Sequence, residues 1–263
     1  MKPDISRVHI IGTSHIAKES VKQIEQFMDS NEVNLVCVEL DRDRLYALKN
    51  NVQGRIKITD FSVIKRIGLT GFIFALIAQH VQKKMGDKVK VKAGSDMMAA
   101  VNCASQRKIP IALIDQDVNL TLQNLSKKVP FGEKLKVIYD IFKGLIGFKS
   151  DLVGMEVSNI DLSKVPPEEF VDKILHKTKH KYPHIFNVLV EDRNKYMVDR
   201  IKRILKMHQD WVILVVIGAG HKEGMVKLLE HELVKNKEKQ DESNLENANS
   251  SINYSYSHSV KYK

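Results

Sequence analysis

Cysteine, aromatic residues and long apolar runs are all scarce in this chain. Cysteine occurs twice in 263 residues, as Cys37 inside the apolar run LVCVEL and Cys103 inside AAVNCAS. Two thiols in such surroundings exclude a disulfide scaffold and a cysteine-built zinc cage, and both read as reduced packing residues. Aromatic residues make up 6% of the chain, with no RNP-like or zinc-finger pattern among the basic residues. A formal net charge of +10 therefore permits non-specific contact with polyanions but gives no specific nucleic-acid module. The longest uncharged stretch, Ile67–Gln82, contains Gln79 and His80 and falls short of the roughly 20 apolar residues of a transmembrane helix. It reads as a buried or interfacial helix. Its basic flanks, Lys65 and Arg66 before it and Lys83, Lys84, Lys88, Lys90 and Lys92 after it, keep peripheral membrane contact open as well. The opening residues MKPDISRVHI show no apolar leader, which makes a cytoplasmic location the expectation.

What the chain does contain, 43% hydrophobic and 28% charged residues, suits one compact domain with a substantial core. Val8–His15 (VHIIGTSH) and Val212–His221 (VILVVIGAGH) share one layout: a β-type apolar run breaks at glycine and histidine follows three residues later. Each run reads as a buried strand entering a turn. Between them, Lys18–Ser30 carries Val21, Ile24, Phe27 and Met28 at helical spacing, and Leu35–Leu40 reads as a second buried strand. This is a βαβ unit with parallel strands, so His15 and Glu39 fall on one sheet edge. Asp41–Asn50 reads as a helix placing Arg44 about one turn past Glu39, Phe61–Arg107 as helical, and Ile109–Ile114 as a strand leading into Asp115-Gln116-Asp117.

Thr121–His208 looks mainly helical with breaks at Pro166-Pro167 and Tyr182-Pro183; within it Glu191–Lys206 is strongly amphipathic, and Met225–Val234 reads as the final helix. The expected fold class is α/β, with a mixed sheet, an N-terminal βαβ unit, helices packed around it and a large helical middle region. The expected organisation is a domain over residues 1–236, with helical insertions at about 62–107 and 121–208, and a disordered polar tail over 237–263.

The strand ends carry the chemistry. His15 and His221 supply imidazoles and Glu39 a carboxylate, a mixed set able to hold a divalent metal with one open position. Each residue taken alone has an ordinary reading: a histidine after a strand as a cap or surface group, a glutamate as the cap of the next helix. Asp115 and Asp117 end a strand in the same manner and read equally as crevice carboxylates or as turn residues. Arg193, Asn194 and Tyr196 open the amphipathic helix, where Arg193 could take a substrate carboxylate and Tyr196 could donate to a developing oxyanion. The plainer reading there is a solvated first turn. Asp96, in Gly94-Ser95-Asp96-Met97, is a further substrate-binding candidate or part of a helix N-terminus.

The motifs GTSH at Gly12–His15, VELD at Val38–Asp41 with Arg44 after it, GSDM at Gly94–Met97, LIDQD at Leu113–Asp117, EDRNKYM at Glu191–Met197 and VIGAGH at Val216–His221 together resemble the TraB family. TraB proteins were named for shutdown of a peptide sex pheromone and are similar to the Tiki metal-dependent proteases, which carry paired G-x-x-H motifs. The resemblance implies an α/β fold and a metal site of His15, Glu39 and His221, with manganese, cobalt or zinc as the ion. It implies a metallopeptidase with Glu39 or Asp115 handling the proton, Arg193 and Tyr196 acting on the reacting group, and Arg44, Asp96 and Asn194 on the substrate. The alternative is a non-catalytic protein that sequesters a peptide in the same crevice. Homo-oligomerisation is left open.

Overall fold

The computed structural model describes residues 5–13, 18–50, 52, 61–89, 94–145 and 168–231. A short 3-10 turn, Ile5–Arg7, leads into β1 (Val8–Thr13), followed by α1 (Lys18–Ser30), β2 (Leu35–Val38), α2 (Arg42–Lys49), α3 (Phe61–Val89), α4 (Ser95–Gln106) and β3 (Ile111–Leu113). Then come α5 (Val118–Lys128), α6 (Phe131–Leu145), α7 (Glu168–Lys181) and α8 (Pro183–Phe186). One π-helical turn, Asn187–Glu191, runs into α9 (Asp192–Met207), which precedes β4 (Ile213–Gly218). A last helix, α10, spans residues 219–231.

The four strands form one sheet in the order β1-β4-β2-β3, and every neighbouring pair is parallel. The α/β class is as expected, whereas the sheet, expected to be mixed, is wholly parallel among the described strands. The reason lies in the connections: each pair of successive strands is joined through at least one helix, and a crossover of that kind returns the chain in the same direction. β4 lies between β1 and β2, so the β1-α1-β2 unit spans a gap that the last strand fills.

Alternation along the strands distributes the core. Val36, Val38, Leu214 and Val216 face α1 and α4, packing with Ile24, Met28, Met97, Ala100, Val101 and Ala104. Leu35, Cys37, Ile213, Val215 and Ile217 face α9 and α10, packing with Met197, Val198, Ile201, Leu205, Met225 and Leu229. A sheet covered on both faces needs apolar side chains at every position, which is why its strands read as unbroken apolar runs. All six residues of β4 are buried. At about 1.5–3 kcal/mol for each large apolar side chain removed from water, this strand contributes heavily to the fold.

The middle helices build separate cores of their own. Val63, Ile67, Phe72 and Ala75 of α3 form one cluster, and Leu125, Val129, Val137, Tyr182, Ile185 and Val188 form another. The apolar stretch Ile67–Gln82 therefore lies within α3, with Ile67 and Phe72 buried and a kink at Gly68, whose φ of 77° is left-handed. Among the described residues no helix is long and apolar enough to cross a membrane.

Candidate functional site at the carboxyl edge of the sheet

Parallel strands deliver their carboxyl ends to one edge, and there the polar residues collect. Backbone pairing continues past the regular strands: Glu39 N–H donates to the Val216 carbonyl at 3.1 Å and Ile114 N–H to the Val38 carbonyl at 3.1 Å. Glu39 and Asp115 are thereby fixed at the ends of adjacent strands. In β4, Gly218 lies level with Thr13 of β1. The final helix begins directly after Gly218, six residues earlier than the expected start at Met225. His221 thus sits in the first turn of a helix and not in a loop. Small residues, Gly218-Ala219-Gly220, let the chain pass from strand to helix without an intervening segment.

Arg193, near the start of α9, is the hub. Its Nε donates to Asp115 Oδ1 at 3.0 Å and its Nη2 to Asp115 Oδ2 at 2.7 Å, a bidentate pair. Nη2 also donates to Glu39 Oε1, and Nη1 is 3.2 Å from the Leu189 carbonyl and 3.1 Å from His221 Nε2. A guanidinium has five N–H donors and accepts nothing, so these five contacts use all of them. Arg193 was expected to take a substrate carboxylate; its donors are instead committed to protein acceptors.

The same contacts fix the state of His221. Because Arg193 only donates, Nε2 of the ring is the acceptor, and the proton sits on Nδ1, which donates to Asn194 Oδ1 at 2.6 Å. Asn194 and His221 are both buried. The π-helical turn before α9, closed by Asp192 N–H on the Asn187 carbonyl, sets the rotation with which Arg193 and Asn194 leave the helix. Such turns recur at functional sites.

Glu39 is 4% exposed. Burial alone would raise its pKa, but the charge that His221 carries when both its ring nitrogens are protonated, the charges of Arg193 and Arg44, and the Gly218 N–H together outweigh it and hold the carboxyl at about 2. The Gly218 N–H donates to Oε2 at 2.7 Å. Burial likewise opposes the charge on Arg193, yet Glu39 and Asp115 push its pKa above the ordinary arginine value. Asp115 further accepts from Arg44 Nη1 at 2.8 Å and from the Gln116 N–H at 2.8 Å. Asp41 caps α2 by accepting from the Arg44 N–H at 2.9 Å, and burial raises its pKa against that bond and the Arg44 charge.

Of the residues singled out in the sequence, Glu39, Arg44, Asp115, Arg193, Asn194 and His221 therefore join one network. Asp96 belongs to its margin: its carboxylate meets the Thr13 hydroxyl, which lies 3.2 Å from the Ile217 carbonyl. Asp117 is spent on the N-cap of α5, accepting from Asn119 N–H at 2.6 Å. Tyr196 is not joined to the network. Its hydroxyl lies 3.4 Å from Arg200 Nη1, and the Arg200 guanidinium is stacked 5.9 Å from its ring centroid. His15 lies outside the described residues, as does the expected tail over 237–263. The Gly218 N–H and the Leu189 carbonyl were not foreseen, because main-chain groups leave no residue-type signal.

The donor set can be tested against a metal ion. Among the described residues no three His, Cys, Asp or Glu side chains converge on a point that an ion could occupy. Glu39 and His221 do face one another, with Oε1 and Nε2 3.4 Å apart. Two ligands each about 2.0–2.1 Å from one ion at a tetrahedral angle stand about that far apart. The hydrogen bond on Nδ1 leaves Nε2 as the lone-pair nitrogen, the usual arrangement of a metal-ligating histidine. The spacing of the pair thus suits a shared ion, while both facing atoms, Glu39 Oε1 and His221 Nε2, accept from Arg193, which an ion would have to displace from them.

A family model described as the TraB/PrgY/gumN family matches residues 2–235. The chain belongs to that family. An uncharacterized protein of Methanocaldococcus jannaschii is 32% identical over 84% of this chain and 53% of its own length. TraB domain-containing proteins of mouse and human are each 20% identical over 85% of this chain and 63% of theirs. The chain thus spans between half and two thirds of the length of these curated relatives. The TraB match covers every element of the site described above, from β1 to α10.

Proposed function

We propose that this TraB-family chain is a metal-dependent hydrolase of peptides, with Glu39 and His221 among the ligands of a divalent ion and His15 a third. One observation carries the reading: a buried histidine, oriented through Asn194, turns its lone-pair nitrogen toward a buried ionised carboxylate. A divalent ion bound there lowers the pKa of its water toward neutrality and polarises a substrate carbonyl. A carboxyl held at about 2 is a weak base at neutral pH, so Glu39 supports a ligand role over proton transfer. Arg193 positions Glu39, Asp115 and His221 as one unit. Arg44 makes one hydrogen bond to Asp115 and its side chain is 37% exposed, so it is the arginine suited to a substrate anion. The peptide class follows from the likeness of the two G-x-x-H segments to the Tiki proteins.

The test is metal content and peptide-library cleavage by untagged protein beside the variants His221→Ala and Glu39→Gln. The reading expects near-stoichiometric manganese, cobalt or zinc and turnover in the wild type, both lost in folded variants. Turnover retained in His221→Ala overturns it. A second reading rests on the Arg193 guanidinium, which already supplies a cation to Glu39, Asp115 and His221. It makes the protein a metal-free peptide binder, whose stoichiometric binding survives a chelator.

A further inference from the structure

On α7, one helical turn apart, His176 and His180 bring their Nε2 atoms within 3.2 Å of each other, with ring centroids 4.4 Å apart and planes inclined at 56°. Both side chains are exposed. At this distance one nitrogen donates its proton and the other accepts it, since two facing N–H groups would repel. Replacing that proton with a metal ion needs little rearrangement: two imidazole nitrogens bound at about 2.0–2.1 Å, at an angle near 100°, stand about 3.2 Å apart. The helix thus holds the chelate geometry in advance, which reduces the ordering cost of binding. Two neighbouring cations are neutralised, Lys179 by Glu191 at 2.7 Å and Lys181 by Asp140 at 2.9 Å. Other described histidines have different surroundings: His184 is on Glu133 at 2.8 Å, His208 is stacked on Trp211 and His9 lies against Phe27.

We propose that His176 and His180 form a surface chelate for an imidazole-seeking divalent ion of the zinc, nickel and copper class, distinct from the crevice. No third His, Cys, Asp or Glu among the described residues completes the set, so the remaining positions stay open to water or to an outside ligand, and the ion exchanges readily. Copper binds tightest, following the general order for nitrogen ligands. Protons compete with the ion for the same nitrogens, so binding weakens as the pH falls. The site lies beside the crevice: Leu175, next to His176, packs over Gly220, where an added Cβ would be 3.6 Å from its Cδ2.

The experiment is calorimetric titration of the full chain with nickel and zinc chloride, with histidine Hε1 NMR signals followed in parallel. Wild type, His176→Ala, the His176→Ala, His180→Ala double variant and His221→Ala are compared, with circular dichroism confirming the fold of each. The double variant is expected to take up one equivalent fewer than wild type, and the single variant to bind that equivalent at least tenfold more weakly. His221→Ala keeps the equivalent, which separates this site from the crevice whatever the crevice does. Equal uptake by wild type and double variant overturns the proposal, as does loss of the equivalent in His221→Ala alone.

Discussion

Arg193 and Asp115 are joined by two parallel hydrogen bonds, Nε to Oδ1 at 3.0 Å and Nη2 to Oδ2 at 2.7 Å, at a point where both side chains are largely out of water. The energetic meaning of this pair lies in what its loss leaves behind. With Arg193→Met, Asp115 retains only Arg44 as a cation partner and Glu39 loses a hydrogen bond as well as a charge. Removing one member of a buried ion pair costs about 3–5 kcal/mol. The expected result is a fall of that order in unfolding free energy at pH 7, read from denaturant titration. Arg193→Lys recovers only part of it, since one ammonium cannot satisfy five directions. A loss below about 1 kcal/mol would show that the network contributes little to the fold.

Glu39 makes stability depend on pH in a defined direction. Its folded pKa is about 2 against an ordinary value of 4.5, so between those values the unfolded chain binds the proton more readily. The stabilisation is complete above about 4.5 and lost as pH falls toward 2. A gap of that size corresponds to about 3 kcal/mol. Thermal unfolding midpoints of wild type should drop through that window by more than those of Glu39→Gln, which lacks the titrating group. Parallel curves for the two proteins would remove Glu39 from the account of acid sensitivity.

Gly224 gives independent access to the tautomer of His221. A Cβ at that position on α10 would stand 2.4 Å from Asn194 Nδ2, and Asn194 is buried with its Oδ1 on the imidazole. Gly224→Ala therefore pushes Asn194 away from His221 without touching the histidine. If His221 holds an ion as proposed, losing its orienting partner costs about 10–100-fold in metal affinity or activity. Gly224→Ala and Asn194→Ala should produce similar losses, and the double variant little more than either. Additive losses would mean that Gly224 acts on something other than Asn194.

Glu39 and His221 were legible in the sequence because each follows an apolar run with strand character, and α/β sheets gather such positions on one edge. The part of Arg193 was not legible: its acceptors come from the end of β2, the end of β3, the π-helical turn and α10, four segments that only the tertiary fold unites. Asn194, one residue on, was read as a substrate contact and proves to hold the imidazole. Tyr196 lies on the same helix and carries the same polar signal, yet its ring is taken by Arg200. The place of β4 between β1 and β2 was equally hidden, since every strand of a doubly covered sheet shows the same continuous apolar run. The early start of α10 was hidden because the break at Gly218 reads as entry into a turn, whereas the helix follows directly and takes Gly220 into its first turn, where a glycine costs only about 1 kcal/mol.

Gly71 lies at a close backbone approach of α3 to α5. Its N–H donates to Ser126 Oγ at 2.7 Å, that hydroxyl donates to the Ile67 carbonyl at 2.7 Å, and a Cβ at Gly71 would lie 2.6 Å from the Leu122 carbonyl oxygen. The obstacle is backbone, so α3 and α5 must separate to admit a methyl group. Alanine gains about 1 kcal/mol over glycine in a helix, while overpacking of this kind costs about 1–3 kcal/mol. Gly71→Ala is therefore expected to be destabilising on balance, with the damage centred on α3 and α5, whose clusters reach α6, α8 and the π-helical turn but include no strand residue. Hydrogen exchange should quicken in those two helices and stay unchanged in β4. Faster exchange in β4 as well would show that the helical region and the site edge open as one unit, and perturbations of α3 would then be expected to reach Glu39 and His221.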